Sequence, residues 1–161
     1  MSKSSMRRSA YAIVSILAAG VWGCSGSSFR LPTPPGFVEL QDQRPAYDYR
    51  ATTADGVVIG VREIKNEPKG DAAFWLQAVQ NQMRGMSGYA LLEAVAVTTR
   101  SGLKGTQLRF GHDEKGAPLL YNLTLFVTDK KIYLIEVGGA KDQMTRMATQ
   151  LAWVLNNFET S

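Results

Sequence analysis

The sequence predicts an α+β fold: an antiparallel β-sheet of five to six strands covered by two amphipathic helices, in the order ββαββββα. Three observations predict it. Segments rich in β-branched and aromatic residues recur through the chain, and the connections between the later ones are short and rich in Gly, Asp and Lys. Two other segments carry apolar residues at three- and four-residue spacing. Short connections between consecutive strands require an antiparallel meander, because a parallel return needs a long crossover.

The chain begins with a segment of a different kind. Met1 to Arg8 carry Lys3, Arg7 and Arg8 and no acid, and the apolar run Ala10 to Val21 closes on the small residue Gly23. That is the tripartite layout of an export signal. The run is about a dozen residues, short of the roughly 20 that span a bilayer as a permanent helix. Val21-Trp22-Gly23-Cys24 resembles the lipobox of bacterial lipoproteins, with Trp22 at the tolerant position where a small or β-branched residue is usual. The resemblance implies cleavage between Gly23 and Cys24, a diacylglyceryl group on the Cys24 thiol and acylation, as by palmitate, of the new amino group. The alternative is an ordinary secretory peptide cleaved near Gly23 or Gly26. Two or more acyl chains hold a protein stably on a membrane where one does not. Under the retention rule of enteric bacteria, Ser25 in place of Asp favours the outer membrane, facing the periplasm, over the inner one.

Residues 1–23 are thus expected to be a signal peptide and residues 24–36 an acylated, Ser/Pro-rich tether. Three prolines between Ser25 and Gly36 favour extended backbone. A single α+β domain is expected over residues 37–161. Phe37 to Leu40 is a candidate short strand. Tyr47 to Thr53 and Val57 to Ile64, joined by the turn signal Ala54-Asp55-Gly56, form a hairpin. Asp71 is placed to cap a helix running to Met83 or Met86, with Trp75, Val79, Gln82 or Met83, and Met86 on one stripe. Strands follow at Tyr89 to Thr99, Thr106 to Phe110, Leu119 to Val127 and Ile132 to Val137, separated by Ser101 to Gly105, Gly111 to Ala117 and Thr128 to Lys131 as loops. After Gly138-Gly139 a second helix runs from about Lys141 to Asn157, its apolar face carrying Met144, Met147, Leu151, Leu155 and Phe158. The meander with Tyr121-Asn-Leu-Thr-Leu-Phe and Ile132-Tyr-Leu-Ile, closed by a helix with Leu151, Leu155, Asn156 and Phe158, resembles the PsbP/DcrB superfamily of α/β/α sandwiches. That resemblance implies a scaffold for binding or assembly and brings no catalytic residues with it.

Composition narrows the function. Removing residues 1–23 takes three of the 18 basic residues and none of the 14 acids, so 15 against 14 leave a charge of +1 on the remaining 138 of 161 residues. The basic residues are scattered among acids, which argues against nucleic acid as a partner. Cys24 is the sole cysteine, so its acylation leaves no thiol for disulfides, redox chemistry or metal.

Candidate chemistry is sparse. His112-Asp113-Glu114 sits in an expected turn, and adjacent side chains splay apart where a site needs them to converge. Ser101 to Gly105 lacks the spacing of a phosphate loop and lies between strands. Asn122-Leu123-Thr124 matches a glycosylation sequon by chance inside a strand. Glu63, Glu93 and Glu136 interrupt apolar strands and form a carboxylate pair only if the fold assembles them. No catalytic, metal or cofactor site is expected. The reading is a noncatalytic envelope lipoprotein, bound to membrane lipid through Cys24 and to an envelope protein partner. Its alternative is a small-ligand or lipid carrier with an apolar groove near Trp75, Met83 and Trp153, and behind that stands an envelope hydrolase using His112 or paired glutamates among Glu63, Glu93 and Glu136.

Overall fold

Side chains alternate most regularly where the sheet is deepest. In Lys131–Ala140, Ile132 and Leu134 point to one face while Tyr133, Ile135 and Val137 point to the other, and all five are buried. A strand apolar on both faces must be covered on both. The computed structural model describes residues 26–41, 46–85 and 88–161 and contains that arrangement. Gly23, Cys24 and Met86 lie outside the described residues.

In chain order the elements are β1 (Phe29–Arg30), β2 (Val38–Glu39), β3 (Tyr49–Thr52), β4 (Val58–Lys65), α1 (Ala72–Gly85), β5 (Ala90–Thr98), β6 (Lys104–Glu114), β7 (Ala117–Val127), β8 (Lys131–Ala140), α2 (Lys141–Arg146), α3 (Ala148–Asn156) and β9 (Glu159–Thr160). Seven strands form one antiparallel sheet in the order β2-β3-β4-β8-β7-β6-β5, and β1 pairs with β9 in a separate ribbon. The chain crosses from β4 through α1 to the far edge at β5, then meanders back until β8 closes against β4. That crossover lays α1 on one face, over Leu108, Phe110, Leu123, Leu125, Ile132 and Leu134. The other face, with Ile59, Val61, Phe126, Ile135 and Val137, is covered by α2, α3 and Phe158.

The expected hairpin forms with Thr52 opposite Val58, and Gly56 supplies the left-handed conformation its turn needs (φ 95°). Asp71 caps α1 as expected: its Oδ1 accepts from the Phe74 amide at 2.8 Å.

Four expectations are corrected. The sheet has seven strands, and a second ribbon of two-residue strands joins the two ends of the fold. The loop expected at Gly111 to Ala117 is mostly strand: β6 and β7 continue to a two-residue turn, Lys115-Gly116, with φ of 55° and 86°. The helix expected from Lys141 to Asn157 is two helices, because Met147 leaves helical geometry at φ −91°, ψ 9°. The bend lets Met144 and Val154 both reach the core. The tether expected over residues 24–36 is not free beyond Ser28. Phe29 stacks on Phe158 at 5.6 Å, and Leu31, Pro34 and Phe37 are buried. A proline can be buried there without stranding an amide donor, since it has none.

Candidate functional site

Only Met83 of α1 is fully buried, so the helix rides high on its face of the sheet. A groove of about 400 Å³ runs beneath it, walled by Trp75, Val79 and Met83 from the helix and by Leu123, Leu125 and Leu134 from the sheet. Trp75 is fixed by its indole N–H, which donates to Asn66 Oδ1 at 2.8 Å. Asn66, itself buried, donates to the carbonyls of Gly70 and Thr128, both at 2.9 Å, and so ties the start of α1 to the β7–β8 turn.

One end of the groove is polar. Glu136 is 5% exposed and lies directly across from Gly60 in β4. The Arg62 guanidinium pairs with its carboxylate, and the Tyr47 hydroxyl donates to it at 2.8 Å. The Tyr121 side chain lines the same end of the groove. Burial, reinforced by the Glu136 charge, pushes the Tyr121 hydroxyl far above its ordinary range and raises that of Tyr47. Both phenols are therefore protonated donors at neutral pH. Burial opposes the Arg62 charge, but Glu136 outweighs it and holds the guanidinium more firmly protonated. The Glu136 carboxylate is buried and committed to a cation and a hydroxyl of the fold itself.

Glycine makes room for this cluster. A Cβ on Gly60 would stand 2.5 Å from the Tyr47 ring, and one on Gly138 would stand 3.3 Å from Tyr121. The Tyr47 ring sits against Gly60 of β4, with the Arg50 and Arg62 guanidinium carbons 5.7 and 5.6 Å from its centroid. Tyr47, Arg62, Tyr121 and Asn66 went unrecognised in the sequence. Gly60 and Gly138, isolated inside strand patterns, were the signal of a close approach.

The sequence candidates do not converge. His112 is in β6, stacked on Tyr89 at 5.0 Å, with Nδ1 2.9 Å from the Gly88 carbonyl oxygen. Asp113 accepts from the Gly116 amide in the turn, and Glu114 is exposed. Glu63 and Glu136 sit on opposite faces, as the pairing of Glu136 with Gly60 requires. Glu63 binds Lys131 and the Ser28 amide, while Glu93 pairs with Arg109 at 2.9 Å on the edge strand. Ser101 to Gly105 connects strands and opens no helix, and Thr124 is buried beneath Gln107. Trp75 and Met83 line the groove, but Trp153 packs against the core of the opposite face. A second recess of about 380 Å³ lies on that face, between β5–β7 and α2–α3. Among the described residues no group of His, Cys, Asp or Glu is placed to hold a metal, and no helix is long and apolar enough to cross a membrane.

No family model matches the chain, and no curated protein matches it either. Solved structures do. LpqN of Mycobacterium tuberculosis, involved in cell envelope biogenesis, is similar with a TM-score of 0.70 at 16% identity over 87% of this chain and 88% of its own. The Ran-binding protein Mog1p of Saccharomyces cerevisiae is similar with a TM-score of 0.56 at 12% identity, covering 85% of this chain and 92% of its own. The cyanobacterial PsbP of Synechocystis sp. PCC 6803 gives 0.55 at 14% identity, covering 83% and 87%. At these identities what is shared is the fold, and the fold is the α+β sandwich of PsbP.

Proposed function

We propose that this chain is a lipid-anchored, noncatalytic binding module of the bacterial cell envelope, with the groove under α1 as its binding surface. The observation that carries the reading is the state of the groove: its ionisable groups neutralise one another around Glu136, and its remaining walls are apolar. Such a surface binds; it offers no free acid, base or nucleophile. The cell-envelope role of LpqN and the Ran-binding activity of Mog1p support a protein-binding use of this scaffold. Residues 1–23 are the signal peptide in this reading. Cys24 carries the acyl chains, and Ser25 directs the protein to the outer membrane.

Two measurements test it. Cys24→Ser abolishes palmitate labelling and leaves the chain unprocessed or soluble; labelling that survives the change refutes the anchor. A photo-crosslinker at Val79, in the groove, captures a reproducible envelope protein in intact cells, and one at Asn81, on the exposed side of α1, does not. Equal capture from both positions refutes the groove.

The size and apolar walls of the groove favour a second reading, a small-ligand or lipid carrier. Native mass spectrometry of protein purified from the envelope decides between them, since a carrier retains a bound mass that Val79→Trp expels.

A further inference from the structure

The strand ends divide the molecule into two poles. At one pole lie Lys65 at the end of β4, the 66–71 connection, Arg100 in the β5–β6 connection, Lys104 at the start of β6, and the β7–β8 turn with Lys130 and Lys131. Lys65 and Lys131 stand directly opposite each other in the sheet, a placement that like charges normally avoid. Lys131 is matched by Glu63 and Lys69 by Asp129, whereas Lys65, Arg100, Lys104 and Lys130 have no carboxylate partner among the described residues. The acids at this pole outside those pairs are Asp48, Glu67, Asp71 and Glu159; Asp48 is engaged by the Glu63 amide and Asp71 in capping α1. Two of the exposed large apolar side chains are at this pole, Ile64 beside Lys65 at 40% and Phe74 in the first turn of α1 at 52%, while Val38, Leu91 and Leu92 are exposed elsewhere.

The chain leaves the fold at this same pole. The Ser28 amide donates to Glu63 at 2.7 Å, its hydroxyl meets that of Tyr133 at 2.8 Å, and its carbonyl accepts from Ser161 at 3.0 Å. Ser28 borders one recess with Asp129, Lys130 and Lys131. Three residues separate it from Cys24, and the four residue steps between them span at most about 14 Å when fully extended.

We propose that this pole is a membrane-docking surface: Lys65, Arg100, Lys104 and Lys130 lie against an anionic lipid bilayer, with Ile64 and Phe74 at its interface. The assignment rests on the acylation of Cys24. With acyl chains in the bilayer and a connection this short, the domain cannot turn its opposite pole to the membrane. That pole is held away by the length of β7, whose 11 residues extend about 37 Å. Cations beside a surface of anionic lipids gain affinity within a Debye length, a distance this tether enforces.

The processed lipoprotein has no free thiol once Cys24 is acylated, so a single introduced cysteine takes a spin label cleanly. Asp129→Cys and Ser101→Cys report on the proposed pole, and Glu114→Cys reports on the opposite one. Each labelled protein is reconstituted into vesicles of phosphatidylethanolamine with phosphatidylglycerol, and label collisions with lipid-soluble oxygen and a water-soluble nickel chelate are measured. Labels at 129 and 101 gain oxygen contact and lose nickel contact, while the label at 114 stays in water. Lys65→Glu combined with Lys130→Glu loses the contact but still floats with the vesicles. Protein that floats with all three labels in water overturns the docking and leaves the anchor standing. Contact unchanged in the double variant overturns the assignment to these cations. Protein that does not float overturns both readings.

Discussion

Glu63 shows how one side chain ties the start of the described chain to the sheet. Its side chain is 10% exposed, one carboxylate oxygen takes Lys131, and the other accepts from the Ser28 amide. Burial alone raises its pKa, but the bonds from Lys131 and Ser28 more than offset this and hold it below the usual carboxylate range. A carboxylate whose pKa falls on folding stabilises the fold above its unfolded value, about 4.3, and the contribution is lost as pH drops toward the lower folded value. Glu63→Gln therefore lowers stability at neutral pH by about 1 kcal/mol, a figure reduced for the solvent that reaches Lys131. The gap to the unsubstituted protein closes as pH falls through the carboxylate range, which thermal unfolding across that range measures; a constant gap refutes the assignment. In the sequence Glu63, Glu93 and Glu136 look alike, each a lone acid in an apolar strand. Their roles differ because each is set by a partner distant in sequence: Lys131, Arg109 and Arg62. The candidate site was illegible for the same reason, since Tyr47, Arg62, Tyr121 and Glu136 come from one connection and three strands that meet only in the folded sheet.

Elements with a strong local period were legible, and those fixed by tertiary contact were not. The β3–β4 hairpin, the capped α1 and the β7–β8 pair carry their alternation or stripe in sequence. By contrast, β1 and β9 have two residues each, too few for any period, and form because Phe29 and Phe158 stack. The break at Met147 has no glycine or proline to announce it; it follows from packing Met144 and Val154 on one curved face. The β6–β7 turn was masked by its composition, since His112, Asp113 and Glu114 look like loop residues yet continue a strand. That turn also carries an improvable residue. Lys115 adopts φ 55° beside Gly116 at 86°, a two-residue hairpin geometry that favours Asn-Gly. A side chain such as lysine's costs roughly 1–2 kcal/mol in left-handed geometry, which asparagine tolerates better. Lys115→Asn is expected to stabilise the protein by about 0.5–1 kcal/mol in chemical denaturation, leaving the Asp113 bond to Gly116 intact. Unchanged or reduced stability would show that the turn is not limiting.

At the scale of the whole molecule, the segment from Phe29 to Phe37 decides how the domain is held. Composition makes it resemble a free spacer, but apolar anchors at Phe29, Leu31, Pro34 and Phe37 turn it into part of the core. Phe158 is the keystone, stacked on Phe126 at 5.4 Å and on Phe29 at 5.6 Å, with Tyr133 edge-on at 5.5 Å. Phe29 is the outermost member of this stack, and it pairs across the ribbon with Thr160. Phe29→Ala removes its ring from Phe158 and Tyr133 while leaving the seven-stranded sheet untouched. The global cost is about 1–2 kcal/mol, below the 3–5 of a fully buried phenylalanine because Phe29 is only half-buried. The local effect is larger: amide exchange rises at Phe29 to Leu31 and Glu159 to Ser161, while Ile135 and Leu123 stay protected. Freed to Leu31, the connection to Cys24 lengthens from four residue steps to seven, or from about 14 to about 25 Å at full extension. With Cys24 acylated as proposed, the Asp129→Cys label in this variant regains contact with water on anionic vesicles although the protein still floats with them. Faster exchange without release of the label would mean that the cations alone hold the domain to the bilayer, and release without faster exchange would mean that Phe29 itself touches lipid.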